Sequence, residues 1–175
     1  MNPFSIQRIL VPTDLSHTSL NALSTAVALA RKHYATLFLL NVCEPDFTHH
    51  EGDEDGGMGA SNSSDVLAAL EGTIQYANGM RPQILRVRGN VTETIIKSAF
   101  EHHIDLIVMG AHGASGYRDG FMGSNTYEVI KYSSCPVLSI PATGKFDSFR
   151  KALYPVRPVQ GALMRYEIAS HFLSR

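Results

Sequence analysis

Short apolar runs alternate with helical spacing along most of this chain, and that alternation constrains its fold more than any other feature. Arg8-Ile-Leu-Val-Pro12 reads as a first strand, after which Leu20, Leu23, Val27 and Ala30 share one face of a helix ending near His33. Thr36-Leu-Phe-Leu-Leu-Asn-Val42 is a second strand with almost no alternation, as expected when both of its faces are buried. Ser64-Asp65 can cap a helix carrying Val66, Leu67, Leu70 and Ile74. Gln83-Ile-Leu-Arg-Val-Arg88 is a third strand, more polar and so expected at a sheet edge. Val91, Ile95, Ile96, Ala99 and Phe100 lie on a further helix, the run from Asp105 to Met109 is a fourth strand, and Pro136-Val-Leu-Ser-Ile140 is a fifth. This order predicts an α/β fold, a doubly wound parallel sheet with helices on both faces. Ligands of such sheets sit outside the carboxyl ends of the strands, where the strand order reverses.

The fourth strand stops at a cluster of glycines, Gly110-Ala-His-Gly113, and Gly123-Ser124 then stands before Asn125-Thr-Tyr-Glu-Val-Ile130, the first turns of a helix. Glycine permits positive φ and close approach of backbone to a ligand. Amides at a helix start have no partner within the helix and favour an anion in front of them. Strand, glycine loop, hydroxyl residue and helix start together describe a phosphate cradle. The spacing is neither the dinucleotide pattern Gly-x-Gly-x-x-Gly nor a Walker A loop. Gly144-Lys145 is the only Gly-Lys pair, and Phe146 stands where Ser or Thr would be needed. Gly113-Ala-Ser-Gly116 has the wrong spacing for a nucleophile elbow.

The observed order, Gly, two residues, Gly, nine residues, Gly-Ser, resembles the ATP-binding signature of the universal stress protein family, and the resemblance runs over roughly residues 6 to 141. It implies a Rossmann-like sheet of the adenine nucleotide alpha-hydrolase type, five strands in the order 3-2-1-4-5. The first and fourth strands would then lie side by side, so that their carboxyl ends, Val11-Pro-Thr-Asp14 and Met109-Gly110, converge.

Residue by residue, the resemblance places Pro12, Thr13 and Asp14 in the site. Asp14 matches a strand-end carboxylate that accepts hydrogen bonds from a ribose hydroxyl or the adenine amine; capping the next helix is the plain alternative. Val42 matches a position that meets the adenine, or else is core. Gly110, Gly113, Gly123 and Ser124 carry over to phosphate and ribose contacts. Asn125 and Thr126 continue the helix start, where their amides serve whatever their side chains are. Asn125 departs from the small apolar residue often found there. His112 matches a position of variable type, open to a phosphate contact or to a half-exposed loop histidine. Arg118 either screens phosphate charge or is solvated, and Met109 packs on the base or in the core.

The implied ligand is ATP. No general base beside the γ-phosphate and no arginine finger can be read from the chain. The reading is therefore a nucleotide-responsive regulatory or stress-response module and not an enzyme. Two alternatives stand beside it: slow ATP hydrolysis with a Mg²⁺ ion bridging the phosphates, and a non-nucleotide association domain.

Composition narrows the partners. An apolar share of 44% and a charged share of 18% suit an ordinary soluble globular protein. A net charge of -1 leaves no footprint for nucleic acid. No apolar run approaches the roughly 20 residues that span a bilayer. Met1-Asn-Pro-Phe-Ser5 does not read as a secretory leader, which points to the cytoplasm. Cys43 follows the second strand and Cys135 precedes the fifth, so in one parallel sheet they lie roughly 17 Å or more apart. A disulfide spans at most about 7 Å between Cα atoms, so two free thiols are expected.

Residues 44–62 are dominated by Gly, Ser and acidic side chains and read as a mobile loop, placed to act as a lid at the ligand end of the sheet. His49, His50, Glu51, Asp53 and Asp55 lie within it, with nothing to fix a metal-ligand geometry. The resemblance implies a universal stress protein domain at 1–143 followed by a linker at 144–150, and residues 151–175 read as the opening of a truncated second copy. In that last stretch Lys151-Ala-Leu-Tyr-Pro-Val-Arg157 aligns with Arg8-Ile-Leu-Val-Pro-Thr-Asp14, placing Leu153 on Leu10, Pro155 on Pro12 and Arg157 on Asp14. Ala169 falls on Ala26, and a coincidental strand–helix tail is the alternative. A lone strand and helix bury no core of their own. The family resemblance implies pairing through the fifth strand, so a homodimer centred on residues 136–141 is expected, with the tail packed nearby or exchanged.

Overall fold

The computed structural model describes residues 5–43, 65–72, 74, 79, 81–112 and 122–143. Strands β1 (Arg8–Pro12), β2 (Thr36–Cys43), β3 (Gln83–Arg88), β4 (Leu106–Gly110) and β5 (Val137–Ile140) form one parallel sheet in the order β3-β2-β1-β4-β5. Between them run α1 (His17–His33), α2 (residues 65–72), α3 (Val91–Glu101) and α4 (Ser124–Tyr132).

Successive strand side chains leave the sheet on opposite faces, and here each face has its own core. Ile9, Val11, Leu37, Leu39 and Val108 pack with Ala22, Ala26 and Leu29 of α1 and Leu67 of α2. Leu10, Phe38, Leu40, Ile107 and Met109 pack with Ile95 and Ala99 of α3 and Val129 of α4. The unbroken apolar run of β2 follows directly, since Leu37 through Leu40 serve the two cores in turn. The more polar β3 lies at an edge, largely exposed, as its sequence requires.

Helix α1 is capped by Ser16, whose hydroxyl accepts from the Ser19 amide; Asp14, two residues earlier, is not the cap. Its carboxyl end turns out through Tyr34 in the left-handed region, with the Tyr34 amide reaching the carbonyls of Ala30 and Arg31. Arg31, Lys32 and His33 complement the helix dipole in the last turn. Cys43 and Cys135 are free thiols at opposite ends of the sheet, as expected. Among the described residues no helix is long and apolar enough to cross a membrane. The acidic loop at 44–62, Gly113, Arg118, the linker and the segment 151–175 lie outside the described residues.

Candidate nucleotide-binding cleft

The chain leaves β1 into α1 on one face of the sheet and leaves β4 toward α4 on the other. Neighbouring strands whose connections part in this way leave a crevice at their carboxyl ends. It is an open cleft of about 690 Å³, its mouth included. Pro12, Thr13 and Asp14 line it from β1, Val42 from β2, Met109, Gly110 and His112 from the end of β4, and Gly123, Ser124, Asn125 and Thr126 from the start of α4. Every site residue expected from the sequence is thus brought together except Gly113 and the candidate Arg118, which lie outside the described residues. Ser19, Leu40, Val91 and Ile95 also line the cleft and were not anticipated.

The β1 side is held by buried polar contacts. The Thr13 amide donates to the Leu40 carbonyl at 2.8 Å, and the Thr13 carbonyl accepts from Asn41 Nδ2 at 2.9 Å. Thr13 Oγ1 accepts from the Leu15 amide and shares a hydrogen bond with Ser19 Oγ, each at 3.1 Å. Leu15 carries a φ of 63°, so the chain turns sharply between strand and helix. Asp14 Oδ1 accepts from the Ser16 amide at 3.0 Å and the side chain stays exposed at the cleft.

The α4 side is tied to the strand end in the same way. The Ala111 amide donates to Ile140, the Gly123 amide to Ala111, both at 2.8 Å, and Thr126 Oγ1 donates to the Gly110 carbonyl at 2.9 Å. The Thr126 hydroxyl is therefore spent on the scaffold, leaving its amide for the cleft. Gly123 caps α4 with no side-chain bond, so the amides of Ser124, Asn125 and Thr126 have no partner supplied by the helix or by a cap. Asn125 Oδ1 accepts from Thr92 Oγ1 of α3 at 3.4 Å.

Between the two sides lies an apolar slot formed by Leu40, Val42, Val91, Ile95 and Met109. Val42 and Met109 line this slot and also belong to the core beneath it. Among the described lining residues Asp14 is the only acid and none is Lys or Arg. Among the described residues no cluster of His, Cys, Asp or Glu could hold a metal ion.

A sequence model described as the Universal stress protein family matches residues 5–141. Universal stress protein Sll1654 of Synechocystis sp. is 32% identical over 135 residues, which are 76% of this chain and 84% of that protein. Among solved structures, the universal stress protein UspA from Lactobacillus plantarum superposes with a TM-score of 0.68 at 28% identity, over 78% of this chain and 98% of that one. A universal stress protein solved in complex with cAMP shares the fold at a TM-score of 0.62 and 23% identity, over 79% of this chain and 99% of that one.

Proposed function

Because this chain belongs to the universal stress protein family, we propose that its cleft binds an adenine nucleotide, ATP, and that occupancy rather than turnover is its output. The observation that carries this reading is one cleft with a carboxylate at one end, an uncapped helix start at the other, and an apolar slot between. Charge orients the ligand. A carboxylate accepts from neutral donors such as ribose hydroxyls or the adenine amine and repels phosphate, so Asp14 takes the nucleoside end. The α4 amides of Ser124, Asn125 and Thr126, with the glycines Gly113 and Gly123, take the phosphates, and Gly110 holds the helix start in place through its carbonyl. Val42, Ile95 and Met109 receive the flat face of the base. A Mg²⁺ ion would ride on the phosphates, since no described side chains gather to hold one.

Calorimetry on nucleotide-stripped protein tests the reading, with cAMP as competitor. ATP is expected to bind, and Gly123→Val to weaken it by tenfold or more while the fold survives. No ATP binding at millimolar concentration, with or without Mg²⁺, overturns it. Phosphate release is expected far below the roughly 1–1000 per second of ordinary enzymes. Rapid hydrolysis abolished by changing Asp14 or His112 would instead make the protein an ATPase. The same reading takes residues 1–143 as the nucleotide-binding domain, 144–150 as linker and 151–175 as the opening of a second copy, with a homodimer formed through β5.

A further inference from the structure

Asn41 does not line the cleft. It is only 6% exposed, and strand alternation sends its side chain to the α1 face of the sheet while its neighbour Val42 faces the nucleotide cleft. A buried amide is costly unless its donors and acceptor are used, and both ends of this one are engaged. Asn41 Oδ1 accepts from Cys43 Sγ at 3.7 Å, which turns Nδ2 toward β1, where it donates to the Thr13 carbonyl at 2.9 Å. Among the described residues this is the one side-chain bond that reaches Thr13 from another strand.

The Thr13 carbonyl and the Asp14 amide belong to one rigid peptide plane. Holding that carbonyl therefore fixes the direction in which the chain enters Asp14, before the turn at Leu15. We infer that Asn41 is a positioning residue for the nucleoside end of the cleft, acting through the Thr13–Asp14 peptide. The inference rests on the adenine-nucleotide reading above. It predicts a selective defect, because the phosphate end is built on α4 and β4 by bonds that do not involve Asn41.

The test is calorimetry of ATP, adenosine and inorganic tripolyphosphate on the wild-type chain, Asn41→Leu, Asp14→Ala and the double variant. Leu keeps the branch at Cγ and the number of side-chain heavy atoms of Asn and lacks the donor. Asn41→Leu is expected to weaken ATP and adenosine by about tenfold, as for a lost hydrogen bond, and to leave tripolyphosphate unchanged. On top of Asp14→Ala it is expected to cost less than twofold more, because its effect passes through Asp14. Additive losses in the double variant, or an equal loss for tripolyphosphate, would reduce Asn41 to a packing role and overturn the inference. Should Asn41→Leu fail to fold, the Asn41 side-chain amide signal of the wild-type chain decides: it is expected to shift with adenosine and not with tripolyphosphate, and the reverse pattern refutes the role. A wild-type chain that takes up neither ATP nor adenosine refutes the nucleotide reading itself, a result distinct from either outcome at Asn41.

Discussion

A Cβ on Gly110 would stand 2.8 Å from Thr18 Cγ2, 3.1 Å from the His112 carbonyl oxygen and 3.3 Å from the Thr18 carbonyl carbon. The second and third contacts are backbone, so a rotamer change does not relieve the clash. Gly110 is thus glycine because α1 approaches the end of β4 closely, and its service to the cleft is through the backbone carbonyl that anchors Thr126. Gly110→Ala is expected to destabilise the fold by about 1–3 kcal/mol, the usual range for overpacking, with little change in ATP affinity per folded molecule. Urea unfolding paired with calorimetry separates the two; a loss confined to affinity would return Gly110 to the phosphate cradle proper. At Cys135, burial pushes the thiol above its usual range, more than the hydrogen bond with Ser133 lowers it. The native state therefore favours the neutral thiol, so its contribution to stability is complete below the unfolded value of about 8.5 and is lost as pH rises through the higher folded value. In a Cys43→Ser variant, alkylation of Cys135 is expected to keep accelerating with pH after the unfolded chain has levelled off. Two of the roles that escaped sequence reading did so for plain physical reasons. Asp14 and Ser16 are equally good helix caps by type, and only the turn at Leu15 gives the role to Ser16. Asn41 looks like one polar residue in an apolar strand, and its partner is 28 positions away in sequence.

At the level of elements, the apolar pattern located every described strand to within a residue or so because each strand packs on both faces. The helix faces were less legible. Leu23 and Ala30 of α1 and Ile95 and Ala99 of α3 are buried as their spacing implies, but Leu20, Val66 and Phe100, read as parts of the same stripes, are exposed. Part of what the faces do was not legible at all. Val91 and Ile95 read as the core-facing stripe of α3, and they are. The first turns of α3 also overhang the ends of the strands, so the same stripe walls the cleft. Helix ends depend on backbone conformation, and α1 shows what that costs. Tyr34 is 96% exposed and holds a φ of 54°, a left-handed conformation usually given to glycine. Its side chain has almost no buried contact to lose, and its amide bonds to α1 are independent of side-chain type. Tyr34→Gly is expected to raise stability by about 0.5–1 kcal/mol, the left-handed strain relieved less the added freedom of the unfolded chain. An unchanged or lowered urea midpoint would mean that the turn carries no such strain.

For the whole molecule, the strand order brings β1 and β4 together at the cleft and leaves β3 and β5 as edges of different character. β3 carries Arg86 and Arg88 among largely exposed positions, the kind of charged edge that resists pairing with another chain. β5 carries no charge; Val137, Leu138 and Ser139 are half-buried, and α4 beside it exposes Tyr127 and Ile130. An uncharged edge next to exposed aromatic and aliphatic side chains offers both backbone pairing and apolar area to a second copy. The proposed dimer is therefore seated on β5, and residues 151–175 are expected nearby because the chain reaches them directly from that strand. Light scattering should find a dimer for the 175-residue chain and for a version ending at Thr143, while Leu138→Lys, which puts a charge into the pairing edge, should give a monomer. Limited proteolysis then locates the tail. A strictly monomeric full-length chain whose tail resists protease would contradict both the dimer and its proposed cause, because the tail would then have covered the β5 edge within its own molecule.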